Sequence, residues 1–159
     1  MRDLILEITK DTVTTMGFTP VEIRIGNGKG LKKLTVVIYR PGSDISMEDC
    51  SKLSNVLIRR LELESAGFSE NYDLVVESPG VERKLTSLEE LLIFQDRLIR
   101  FILKNPKDYH LNDNVVVGKV IENDTKKNFL SVETDDGSVA FSWKDVSSAK
   151  LYFDIKKYL

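Results

Sequence analysis

Apolar residues recur along this chain with two different periods, and each change of period marks a new element. Leu4, Ile5, Ile8 and Met16 fall near helical spacing, and Gly17 follows where the backbone can turn left-handed. A helix is expected over about residues 3–16. The period then drops to two. Val21, Ile23 and Ile25 alternate with Glu22 and Arg24, as on a strand with one wet face. "GNGKG", Gly26 to Gly30, reads as a turn, and Leu34, Val36 and Ile38 continue the alternation on a second strand. The two strands make a hairpin.

"RPGSDIS" breaks the sheet. Ser46 is a suitable helix N-cap, with Asp49 at the capping-box position three residues on. Met47, Cys50, Leu53, Leu57 and Leu61 then lay an apolar stripe along a helix that runs to about Glu64 and stops at Gly67. Tyr72, Leu74 and Val76 form a third strand. The order α-β-β-α-β implies a three-stranded sheet with two helices on its apolar face.

The third strand delivers the chain to "ESPGVERKL". Pro79 fixes φ and Gly80 tolerates a sharp reversal, so the stretch reads as a corner between two domains. Ser87 and Glu90 repeat the capping-box spacing ahead of a short helix, "LLIF". Beyond it the pattern is all-β. "RLIRFIL", "NVVVGKVIE", "NFLSVET" and "SVAFSW" are strands, with "DDG" as a hairpin turn and Gly118 where a small barrel would bend. "KDVSSAKLYFDI" reads as a tight turn and a closing strand. The resulting class is α+β in two domains: residues 1–82, a linker with a short helix at 83–96, and a small β-barrel at 97–159.

Composition narrows the chemistry. A hydrophobic fraction of 42% and a charged fraction of 30% belong to a folded chain. No apolar run reaches the roughly 18 residues of a membrane span, and the acidic start "MRDLILEITKD" is unlike a secretory signal, so a cytoplasmic location is expected. The single Cys50 fits a reducing compartment and leaves no internal disulfide. A net charge of −2 is unlike a domain that lives by gripping phosphate, and makes a basic protein partner at least as plausible as bare nucleic acid.

Catalytic and metal readings find little support. Ser78 lacks the spacing of a nucleophile elbow, and the one histidine, His110, lies in the polar loop "KDYHLNDN". "GNGKG" joins two strands and has no Walker spacing, so hairpin turn is preferred over phosphate loop. Asp44, Glu48 and Asp49 fit complements to a helix dipole better than metal ligands. Cys50 lies on the apolar stripe, and Phe141 and Trp143 are expected to point inward from one barrel strand. The pairs Lys32–Lys33, Lys126–Lys127 and Lys156–Lys157 sit at turns or the terminus, where charge usually serves solvation. Arg83 and Lys84 are more suggestive because they follow the corner directly. Arg83 can grip a carboxylate or phosphate with two donors, or be neutralised internally by Glu82 or Glu77; both readings stand.

"YDLVVESPGVERKL", Tyr72 to Leu85, resembles the signature of the RimP family of ribosome maturation factors: an apolar strand, Ser78-Pro79-Gly80, apolar Val81, acidic Glu82, Arg83, then Leu85. "GSDISMEDCSKLSNVL" and "FSWKDVSSAKL" are similar to that family's second-helix start and its closing barrel segment. Lys84 stands where the family commonly has proline, and Asp96 where a glycine commonly opens the barrel. The resemblance implies an α/β domain joined to a Src-homology-3-like or Sm-like barrel. It implies a non-enzymatic monomer without cofactor or metal that binds the free small (30S) ribosomal subunit during assembly. Its expected partner is a basic ribosomal protein at the decoding centre, with ribosomal RNA as a further contact. The partner-binding candidates are Ser78, Pro79, Gly80, Arg83 and Lys84. The alternative is a general RNA-binding module that uses the C-terminal barrel.

Overall fold

The computed structural model describes residues 1–153 and divides between Pro79 and Gly80 into two units. Lys156 and Lys157, with Asp154 and Ile155 of the expected closing strand, lie outside the described residues. Helix α1 (Arg2–Thr15) opens the first unit, followed by strands β1 (Thr19–Asn27) and β2 (Lys32–Tyr39), helices α2 (Met47–Glu64) and α3 (Phe68–Asn71), and strand β3 (Tyr72–Glu77). The sheet order is β1-β2-β3. β1 and β2 form the expected antiparallel hairpin, whose turn is closed by the Gly28 N–H donating to the Leu31 carbonyl at 2.9 Å. β3 runs parallel to β2, and α2 supplies the long connection that parallel neighbours require.

Packing follows from the helical stripes. Ile5, Ile8 and Val13 of α1 and Leu53, Leu57 and Leu61 of α2 are buried in one core with Leu34, Val36 and Ile38 of β2. Thr9 and Thr12 are also buried on α1, and each hydroxyl donates to the carbonyl four residues back at 2.7 Å. Arg60 of α2 reaches α1, donating to Asp11 Oδ2 at 2.6 Å and to Thr12 Oγ1 at 3.0 Å.

Three details depart from expectation. Thr35, Val37 and Tyr39 are buried along with the core-facing residues, so β2 has no wet face and reads as a central strand. Met47 does not extend the apolar stripe and is 89% exposed. It is the first helical residue, and side chains there tilt back past the helix end. A short helix, α3, also intervenes before β3: Gly67 takes the left-handed region at φ 83°, and Glu62 accepts from the Ser69 N–H in the first turn.

The second unit carries helix α4 (Leu88–Ile93) and five strands: β4 (Ile99–Leu103), β5 (Val115–Asp124), β6 (Phe129–Thr134), β7 (Gly137–Ser142) and β8 (Val146–Leu151). Every pairing is antiparallel, in the order β7-β6-β5-β4-β8. Ile99, Phe101 and Leu103 alternate inward on β4, and Leu130, Val132, Phe141, Ala149 and Leu151 join them. The sheet is strongly curled. The rings of Phe101 and Phe141 meet edge to face at 5.3 Å, although their strands are three places apart, about 14 Å in a flat sheet. At Gly118 a Cβ would collide with the Glu133 carbonyl oxygen, so only glycine fits this approach of β5 to β6. Residues 83–96 include the expected short helix, and Leu85, Leu88, Leu91 and Phe94 are buried. Trp143 is half-buried and opens a 3-10 turn (Trp143–Asp145), because β7 already ends at Ser142.

The capping box of α2 is complete. Asp49 N–H donates to Ser46 Oγ at 3.0 Å and Ser46 N–H to Asp49 Oδ2 at 2.9 Å. The hydrogen bonds from Ser46, aided by Arg40 at 3.2 Å, hold the Asp49 carboxyl below its ordinary range. Ser46→Ala should lower stability by ~1 kcal/mol, read from the denaturation midpoint. The Asp49 contribution is complete above the unfolded carboxyl value and fades as pH falls through the lower folded one. The penalty for Ser46→Ala should therefore shrink in acid.

Candidate functional site

β3 ends at Glu77, and Ser78 follows, exposed to solvent. Across Pro79 the chain enters the second unit at Gly80, whose carbonyl accepts from the Arg83 N–H at 3.1 Å. This closes a turn with Val81 and Glu82 exposed at its tip. The next three residues are pinned to the outside of β8. Leu151 N–H donates to the Arg83 carbonyl at 2.9 Å, and Leu85 N–H to the Ala149 carbonyl at 2.8 Å. Between these bonds Lys84 pairs with Lys150 in an antiparallel bridge.

That pairing sorts the cations onto opposite sides. Arg83 shares a side with the buried Leu85, and its Nε donates to Glu90 Oε1 at 3.3 Å; the two side chains are only 20% and 13% exposed. Glu90 is thus an internal partner of Arg83, one that the sequence reading, which named Glu82 or Glu77, did not include. Glu90 stands in the first turn of α4, where its N–H donates to Ser87 Oγ at 3.1 Å. Its carboxylate turns to Arg83, so the second capping box is formed in one half only. The Ser87 spacing fixes where Glu90 stands, which is the sequence signal that points to this pair.

Lys84 faces the other way. Lys150 lies opposite Lys84 on β8, and Arg100 on β4 lies opposite Lys150. Directly opposed residues share a sheet face, so Lys84, Lys150 and Arg100 form one row across three segments. None of the three makes an ion pair among the described residues. Like charges in direct opposition are unfavourable. Lys150 and Arg100 went unnoticed in the sequence because only strand register joins them to Lys84.

The other candidates have local roles. Glu48 pairs with Lys52 at 3.2 Å, and Asp49 completes the α2 cap. Cys50 is half-buried, and burial raises its thiol above the ordinary range, with Asp49 and Glu77 adding to the effect. His110 is exposed at a left-handed position, φ 59°. Lys126 and Lys127 donate their backbone N–H groups to Asp124 Oδ1 at 3.1 and 3.0 Å, which organises the β5–β6 turn.

Residues 8–82 match the family model of the RimP N-terminal domain. The match ends inside the turn that follows Ser78-Pro79-Gly80.

Removing Arg83 strands a largely buried carboxylate. Arg83→Ala should lower the stability of the chain by about 1–3 kcal/mol in denaturant melts. Lys84→Ala, on the open side of the same segment, should leave the midpoint within about 0.5 kcal/mol of the parent. Equal losses from the two would refute this assignment of sides.

Proposed function

Its N-terminal domain makes this chain a member of the RimP family of non-enzymatic ribosome maturation factors, and from that premise we propose that it binds the free small ribosomal subunit during assembly. The match over residues 8–82 is the observation that carries the reading. The protein acts as a cytoplasmic monomer, without cofactor, and assists incorporation of a basic ribosomal protein at the decoding centre. A chain with 23 basic and 25 acidic residues suits such a role, since it can draw in a cationic protein and shield it from premature contacts with RNA.

The turn Ser78-Pro79-Gly80 and the segment Arg83–Lys84 make up the partner-facing region in this proposal. Arg83 acts there by positioning, since Glu90 holds its guanidinium and the β8 pairing holds its backbone. Lys84 is the direct contact, together with Lys150 and Arg100. Their spacing, two strand separations or about 10 Å, lets them follow neighbouring phosphates of ribosomal RNA. The curled five-stranded sheet is proposed to close as a Src-homology-3-like or Sm-like barrel; the Phe101–Phe141 contact and the tight approach at Gly118 support this.

A general RNA-binding module remains the second reading, favoured by the same cation row. Sedimentation separates the two. The protein should travel with isolated small subunits in preference to mature ribosomes. Lys84→Gln/Lys150→Gln/Arg100→Gln should weaken that association and flatten its salt dependence by up to about three phosphate contacts. Equal association with both particles would overturn the maturation reading. Tight, steeply salt-dependent binding to bare ribosomal RNA would favour the module.

A further inference from the structure

Each sheet has edges, and an open edge displays unpaired backbone donors and acceptors. Most edges here are blunted. β1 carries Pro20 and a register shift between Pro20 and Glu22. The outside of β8 is covered by Lys84 and its two neighbours. β7 is capped at its end by Tyr109, whose hydroxyl accepts from the Ser142 N–H at 3.2 Å.

β3 has none of these devices. Its register with β2 is unbroken from Tyr72 to Glu77, and it contains no proline or lysine. Among the described residues nothing pairs with its outer edge. Alongside it runs a groove of about 690 Å³ between β3 and the first turns of α2, lined by Met47, Cys50, Ser54, Leu74, Val76 and Glu77 among others. Leu74, Val76 and Cys50 give the groove an apolar part beside its serines, and the exposed Met47 adds a flexible side chain suited to adaptable packing. Glu77 lies at the end of the strand, and among the described residues no Lys or Arg lines the groove. The unit around it holds ten Lys and Arg against twelve Asp and Glu.

We propose that the β3 edge and its groove receive an extended, cationic polypeptide segment, which adds to the sheet as a further strand. The backbone edge supplies register and affinity, and the groove takes alternate apolar side chains. Charge selects the occupant: a carboxylate at the strand end, with no cation among the described residues of the groove, favours a basic segment over an acidic one. The six residues of β3 span about 20 Å, enough for about six residues of ligand. The inference rests on the proposed function only for the source of the segment, a basic protein of the small subunit.

The probe is a fluorescent hexapeptide alternating valine with lysine or arginine, titrated against the full chain by anisotropy. Saturable binding is expected, weaker by about tenfold or more for the valine–glutamate counterpart. Methylating alternate backbone amides of the peptide should abolish it, and hydrogen exchange should slow across residues 72–77. Glu77→Lys/Asn55→Arg, both exposed positions, should reduce peptide affinity by about tenfold and weaken sedimentation with small subunits. Insensitivity to amide methylation, or protection located elsewhere, overturns the site. Concentration-dependent self-association that protects residues 72–77 makes a second copy the occupant and also overturns it. A double variant that loses the peptide yet sediments normally with small subunits overturns the proposed source, while the proposed function stands. A parent chain that binds the peptide but no subunit fails the proposed function alone.

Discussion

The backbone pairing of Arg83, Lys84 and Leu85 with β8 decides what the turn after Ser78-Pro79-Gly80 can do. Two hydrogen bonds, from Leu151 N–H and from Leu85 N–H, turn a segment that reads as loop into an added edge of the second sheet. Alternation along that edge does the rest. Arg83 and Leu85 go inward, where one meets Glu90 and the other is buried, and Lys84 goes outward opposite Lys150. A shift by one residue would exchange the two sides and bury a lysine without a carboxylate. The costs of the two arrangements differ enough to fix the register: a buried charge without a partner is far more expensive than two exposed lysines beside a half-buried arginine.

Edges explain the asymmetry between the units. A curled antiparallel sheet can close its exposed groups with nearby loops, and the second unit does so with the 83–85 segment on β8 and the Tyr109 turn at β7. Tyr109 is fixed there on two sides. Its hydroxyl accepts from Ser142 and donates to Asp145, and burial with that carboxylate raises its ionisation above the ordinary phenol range. The first unit has only three strands, so β1 and β3 are both edges. A proline and a bulge protect one of them, and the other runs open beside a groove.

Local chemistry was legible in the sequence, and long-range register was not. The Ser46–Asp49 box, the β1–β2 hairpin, the Asp135–Asp136 turn and most strand positions follow from neighbours a few residues apart, where spacing alone identifies the partner. Met47 escaped because a stripe drawn by period does not know where the helix begins. The burial of Thr35 and Val37 escaped because alternation in sequence looks the same on a central strand as on an edge. Arg83 could be singled out as either paired or partner-facing, but choosing Glu90 required α4 to be placed. Lys150 and Arg100 are separated from Lys84 by 66 and 16 positions, and only the order β5-β4-β8 with its added segment aligns them.

In the proposed function the charge balance has a physical use. A single net value of −2 hides a first unit with two more acids than bases and a cation row on the second. A particle under assembly presents both phosphate and basic protein, and one uniformly charged surface would be repelled by one of them. Separate surfaces avoid that conflict, and each can be modest. Exposed lysines gain their attraction mainly from counterion release, which falls steeply with salt, and an added edge strand gains its attraction from backbone bonds that water also offers. Neither surface alone holds tightly, yet both acting together on one particle would multiply their effect through local concentration. Loss of either ligand as the subunit matures would then be enough to release the factor, because the remaining contact returns to its weak intrinsic affinity. In the proposed role, joint engagement of this kind would let the chain tell an unfinished particle from a finished one through binding.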